Sequence, residues 1–198
     1  MAKLYFRYGT VSSAKTLNLL AVAHNYRQQG KNVLLVKPAI DTRTDPHMIR
    51  TRAGLEMPAD ILAPNDGLIP IPSIDHLACI LVDEAQFLPP IAVEQLYRMA
   101  HVAASPTTAG LGVPVICYGL RTDFRQQLFP ASKRLLELAD SIEEVKTTCY
   151  HCSRKATFNL KLRDGLPTLE GPVIELGFEE TYLPVCADCY MNRHSANA

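Results

Sequence analysis

Short runs of apolar residues recur along the chain, separated by longer stretches in which apolar positions return every three or four residues. Residues 33–36, 79–82 and 113–117 are each too short for a helix and apolar almost throughout, as strands buried on both faces of a parallel sheet are. Residues 4–8 (Leu-Tyr-Phe-Arg-Tyr) form another strand-like run. The helical stretches between them are 16–29, 91–104 and 132–139. In the first, Leu17, Leu20, Ala21 and His24 share one side and Gly30 ends the run; in the last, Ser132 is placed as N-cap. This alternation predicts an α/β fold, a mostly parallel sheet wound by right-handed crossovers with helices on both faces. Residues 41–57 are polar without a period and 58–72 hold four prolines, so both read as loops or short irregular pieces at the sheet edge. Residues 105–112 read as a surface connection.

The first strand runs directly into Gly9-Thr10-Val11-Ser12-Ser13-Ala14-Lys15-Thr16. This is a phosphate-binding loop pattern. Its backbone N–H groups curl around phosphates, Lys15 reaches the terminal phosphates and the Thr16 hydroxyl meets Mg²⁺. One position departs from the pattern, because Ala14 occupies the second glycine site, where a methyl crowds the phosphate or opposes the required dihedrals. Downstream, Cys79-Ile80-Leu81-Val82-Asp83-Glu84 is an apolar strand ending in two acids. In an open α/β sheet, such a strand end faces the same edge as the loop. Asp83 there suits a metal ion, and Glu84 suits the proton of an attacking nucleophile. Whether that nucleophile is water or a substrate hydroxyl is left open by these two carboxylates.

Composition narrows the partners. The 198 residues carry 20 basic and 20 acidic side chains, which argues against a broad nucleic-acid footprint. No run approaches the ~20 apolar residues of a membrane span, and the N-terminus has no signal-like segment, so a cytoplasmic protein is expected. Of six cysteines, Cys79 and Cys117 sit in apolar runs, whereas Cys149/Cys152 and Cys186/Cys189 form two CxxC pairs. Two such pairs close a tetrahedral Cys₄ zinc site with no open position, hence a structural one. His151 and His194 are nearby alternatives for one ligand. The pattern change near Lys146 divides the chain into a nucleotide-binding part, 1–145, and a zinc lobe, 146–198. Between the cysteine pairs, a loop tied at its base by metal makes a natural lid.

The loop, Asp83-Glu84-Ala85-Gln86-Phe87, Tyr118-Gly119-Leu120-Arg121-Thr122-Asp123-Phe124 and the two CxxC pairs together resemble the thymidine kinases of the cellular and bacterial type. The resemblance extends to Arg50-Thr51-Arg52-Ala53-Gly54-Leu55 and Asp41-Thr42-Arg43, and covers nearly the whole chain. It implies a P-loop, RecA-like fold with a zinc lobe carrying a lid (lasso) loop. It also implies transfer of the ATP γ-phosphate to the 5′-hydroxyl of thymidine or deoxyuridine with Mg²⁺, in a homotetramer.

Carried over by position, Gly9 to Thr16 with Asp41, Arg43 and Asp83 would serve the nucleotide and metal, with Glu84 as base. Phe87, Leu120, Phe124 and Phe129 would wall the base pocket and Tyr182 would help close it. Cys149, Cys152, Cys186 and Cys189 would hold zinc. Three positions depart from the family: Ala14 for glycine, Val11 for methionine, and Glu175-Leu176-Gly177 for the Gly-Gly of the lid. The first bears on nucleotide affinity, the others on fit around the base. Two other readings compete with the kinase: an ATPase in which Glu84 activates water, and a degenerate nucleotide-binding module.

Overall fold

The computed structural model describes residues 2–42, 45–71, 73–74, 76–101, 112–173 and 182–195, the side chains of the last two excepted. Six strands form the main sheet: β1 (Leu4–Tyr8), β2 (Asn32–Pro38), β5 (Ile61–Ala63), β6 (Leu77–Val82), β7 (Val115–Gly119) and β8 (Ser141–Glu144). Their spatial order is β5-β2-β6-β7-β1-β8, and every pairing is parallel. All carboxyl ends therefore share one edge, which is where such sheets bind ligands. The loop at Gly9, the acids after Val82 and the turn after Gly119 all emerge there.

Side chains alternate between the two faces as the strand period requires. Cys79 and Leu81 of β6 pack with Leu19, Leu20 and Ala23 of helix α1 (Lys15–Gln28). Ile80 and Val82 pack on the opposite face, with Ala92, Val93 and Leu96 of α2 (Pro90–His101) and Leu135 of α3 (Pro130–Leu138). This double burial explains why the β6 and β7 runs are apolar without alternation.

Several expectations need correction. The buried side of α1 is Leu19, Leu20 and Ala23, not Leu17, Ala21 and His24; Leu17 is 37% exposed. Apolar residues occur all round this helix, so docking on β2, β6 and β7 selects the face rather than periodicity. Ser132 is not the N-cap of α3. Phe129 takes that place with Pro130 at the first helical position, and the Ser132 hydroxyl instead donates to the Leu120 carbonyl at 2.6 Å. The polar stretch 41–57 contains most of an antiparallel hairpin, β3 (Met48–Arg50) with β4 (Glu56–Pro58), turned by Thr51, Gly54 and Leu55. The helix that begins at Pro90 is described to His101, and most of 105–112 lies outside the described residues.

A second, antiparallel sheet has β9 (Phe158–Arg163) between β10 (Leu166–Pro167) and β11 (Tyr182–Val185). With α4 (Ala187–Ser195), it builds a small core of Leu160, Val185, Tyr190 and the cysteines. This core meets the main sheet through buried polar contacts. The Val11 N–H donates to Asn159 Oδ1 at 2.9 Å, and the Tyr190 hydroxyl donates to the Phe124 carbonyl at 2.5 Å. Among the described residues, no helix is long and apolar enough to cross a membrane.

Candidate active site

Gly9 follows from the loop's geometry, since a Cβ there would collide with the Ser13 side chain and come within 2.5 Å of the Val145 carbonyl. Ser12 (φ 59°) and Ala14 (φ 62°, ψ 23°) take left-handed conformations on either side of Ser13, turning the chain tightly into α1. A loop of this kind points N–H groups into one concavity at the positive end of a helix, which suits an anion. Ala14 thus adopts the dihedrals that glycine would supply, at a cost of about 1 kcal/mol for its Cβ. The buried Lys15 ammonium lies across the loop, donating to the Thr10 carbonyl at 2.7 Å and to Ser13 Oγ at 3.3 Å.

The loop forms one wall of a cavity of about 260 Å³, lined by residues 11–17, Lys37, Asp41, residues 48–53, Asp83, Glu84 and Leu120. Opposite the loop, the end of β6 delivers Asp83, 6% exposed, to 3.1 Å from the Thr16 hydroxyl. Glu84 sits in a left-handed conformation (φ 47°), a costly state for this residue that turns the chain sharply at the cavity. Its Oε2 accepts a hydrogen bond from Gln86 Nε2 at 2.5 Å, and Gln86 Oε1 accepts the Leu120 N–H at 2.9 Å. Asp41, 6% exposed, pairs with buried Lys37 at 3.5 Å. Lys37 also donates to the Met48 carbonyl at 3.0 Å, which fixes the hairpin beside the cavity. Arg52, in the hairpin turn, donates to Ser12 Oγ.

Most of the nucleotide and metal residues expected from the sequence therefore come together: residues 11–16, Asp41, Asp83 and Glu84 line one cavity, with Gly9 and Thr10 shaping the loop. Arg43 lies outside the described residues. Lys37, Arg52 and Gln86 received no role in the sequence reading. A lysine ending an otherwise apolar strand was the available signal for the first; Gln86 stands two residues from Glu84 with nothing local to show what its side chain meets.

The base-pocket set is less unified. Of its five members, only Leu120 lines this cavity. Phe87 and Phe129 form an edge-on pair with centroids 5.8 Å apart. Phe124, 1% exposed, stacks obliquely on Tyr182 at 6.2 Å. The Lys161 ammonium lies beside both of these rings, 4.9 Å from the Phe124 centroid and 6.0 Å from that of Tyr182. Residues 174–181, including Glu175-Leu176-Gly177 and most of the lid segment, lie outside the described residues.

The four C-terminal cysteines are the potential metal-holding group among the described residues, with all their sulfurs within 4.8 Å of one another. Tetrahedral Zn–S bonds of about 2.3 Å separate sulfurs by about 3.8 Å. Cys152 lies 3.7 Å from Cys186 and 3.8 Å from Cys189, so these two separations match a zinc-bound set and the whole group is gathered closely enough to hold the ion. Burial would raise the Cys149 thiol, but backbone N–H donors at Cys186, His151 and Cys152 bring it down to about 6, while the hydrogen bond with Cys186 and the other neighbouring thiols push Cys189 up to about 12, so Cys149 is the first thiolate of the cluster. Cys79 and Cys117 behave differently: burial pushes the first thiol up to about 12 and the second higher still, making them inert core residues.

The model of the family described as thymidine kinase matches residues 2–190. The chain belongs to the thymidine kinase family. A thymidine kinase of Lactococcus lactis subsp. lactis is 43% identical over 194 residues, covering 96% of this chain and 97% of that protein. Another from Streptococcus gordonii is 44% identical, covering 96% of each. One from Streptococcus pyogenes is 41% identical, covering 97% of this chain and 98% of its own. Thymidine kinase membership favours the kinase reading over the ATPase and the degenerate module.

Proposed function

We infer that the chain is an ATP-dependent thymidine kinase, transferring the γ-phosphate to the 5′-hydroxyl of thymidine or deoxyuridine. The observation that carries this reading is the convergence of Lys15, Thr16, Asp83 and Glu84 on one cavity in a chain whose residues 2–190 match the family. In the reaction, the loop amides and Lys15 bind the phosphates, with Asp41 at their margin, and Arg43 is assigned to the nucleotide by the family pattern alone. Thr16 and Asp83 are suitably placed oxygen donors for Mg²⁺, which neutralises charge on the β- and γ-phosphates when bound. Glu84 accepts the 5′-hydroxyl proton as the oxygen attacks phosphorus. Leu120 packs on the flat pyrimidine from the cavity wall, and Phe87, Phe124, Phe129 and Tyr182, which do not line that cavity here, are assigned to the apolar surroundings of the base that keep water from the transfer.

Residues 1–145 act as the nucleotide-binding unit and 146–198 as the zinc lobe with its lid. Zinc on the four cysteines is structural, and the working form is a cytoplasmic homotetramer. The testing experiment supplies Mg-ATP with thymidine, deoxyuridine or no nucleoside. Rapid formation of a nucleoside 5′-monophosphate, with little phosphate released when nucleoside is absent, supports the kinase. Equal phosphate release with and without nucleoside overturns it.

A further inference from the structure

A buried polar side chain beside the cavity has no part in the mechanism above. Gln86 is 2% exposed, and both ends of its amide are engaged. The Leu120 N–H can only donate, so it fixes the carbonyl end of Gln86 toward the turn after β7. The amide nitrogen must then face Glu84, where it donates to Oε2 at 2.5 Å. Gly119 makes room for this arrangement: a Cβ there would stand 2.7 Å from Gln86 Oε1 and 3.1 Å from its backbone nitrogen. The Leu120 peptide is itself held from the other side, its carbonyl accepting the Ser132 hydroxyl at 2.6 Å from α3. Gln86 thus joins a rigid point of the fold to a carboxylate that sits on a strained left-handed residue.

We propose that Gln86 is the positioning residue for Glu84. It holds the carboxylate plane toward the cavity through a charge-assisted bond, while its far end is locked by Leu120. The inference rests on the role of Glu84 given above. Leu120 also lines the cavity, so the same amide ties the base to the wall on which the acceptor nucleoside would lie. The other charged groups lining that cavity among the described residues are Lys15, Lys37, Asp41, Arg50, Arg52 and Asp83.

The test compares Gln86→Leu, Gln86→Glu and Glu84→Gln with the wild type, each as the full zinc-loaded chain, using Mg-ATP and thymidine. Loss of the amide in Gln86→Leu is expected to lower kcat roughly ten- to hundredfold, with both KM values within about threefold. Gln86→Glu keeps the acceptor for Leu120 but sets a carboxyl against a carboxyl, and should move the acidic limb of the kcat–pH profile up by about one unit or more. In the wild type, the Gln86 side-chain amide resonances should shift along that same acidic limb, and should not in Glu84→Gln; this readout needs no Gln86 variant to fold. Wild-type kcat and an unmoved acidic limb in folded Gln86 variants overturn the proposal, as do amide resonances insensitive to pH. If Glu84→Gln retains full kcat, the role of Glu84 itself falls and the positioning role falls with it; if only the Gln86 measurements fail, Glu84 stands and this inference alone is lost.

Discussion

The Thr16 hydroxyl lies 3.1 Å from Asp83 Oδ2 and 3.2 Å from Oδ1, joining the first turn of α1 to the end of β6 across 67 positions of sequence. The two oxygen donors are thereby held as one unit on a potential cation. Thr16→Val and Asp83→Asn should each lower kcat/KM for Mg-ATP by about ten- to hundredfold and raise the Mg²⁺ concentration needed for half-maximal rate. Because both act on the same ion, the double variant should lose clearly less than the product of the single losses. Initial rates over a Mg²⁺ titration check this, and fully multiplicative losses would contradict it.

Left-handed conformations at Ala14 and Glu84 tie stability to function. Ala14→Gly removes the Cβ conflict, partly offset by the freer unfolded chain, and should raise stability by up to about 1 kcal/mol. ATP should also bind more tightly, since the methyl no longer crowds the phosphates. Glu84→Gly should lose phosphoryl transfer and gain less stability than Ala14→Gly, because relief of the left-handed strain is offset by leaving the buried Gln86 amide without its acceptor. Urea unfolding alongside calorimetric ATP titration reads both effects.

His101 closes α2 onto the loop before β8. Its Nδ1 meets the Tyr97 carbonyl at 2.8 Å and its Nε2 meets Asp140 at 3.0 Å. The Tyr97 carbonyl, followed by Asp140, raises the imidazole above its ordinary 6.5. Stability from this pair is therefore full below pH 6.5 and is lost as pH rises through the higher folded value. Asp140 has the opposite dependence. Burial would raise it, but the Leu4 N–H and His101 hold it below 3.8, so its contribution is present above that value and fades only in stronger acid. The stability advantage of the wild type over His101→Gln should shrink from pH 6 to pH 8.5 in urea melts; an advantage that grows over that range would contradict the pairing.

The four-cysteine set predicts one zinc per chain, lost in Cys152→Ser. Since Asn159 and Tyr190 carry contacts from the zinc lobe to the loop and to Phe124, metal loss should also loosen the nucleotide site. Chelator treatment is expected to speed proteolysis within 146–198 and to weaken ATP binding together. Elemental analysis and limited proteolysis measure the two arms.

Features whose chemistry lies in one contiguous run were legible in the sequence. The Gly9–Thr16 loop turning into α1, the strand ending in Asp83-Glu84 and each CxxC pair are local patterns, and the fold brings the first two to one cavity and the two pairs to one cluster. What escaped depends on partners far along the chain: Gln86 on Leu120, 34 positions away, and Asn159 on Val11, 148 away. The face of α1 escaped for another reason, because Leu17 to Ala23 are apolar on nearly every side and only the sheet chooses among them. Ser132 resembled a cap because its hydroxyl is a good one, yet Pro130 had already begun the helix and left that hydroxyl to Leu120.

The most direct test of the account is the rate of thymidine 5′-monophosphate formation by Glu84→Gln, measured beside its ATP dissociation constant. The account predicts a fall of roughly 10²- to 10⁴-fold in kcat with ATP affinity within about threefold of the wild type. Wild-type turnover in the variant would contradict it.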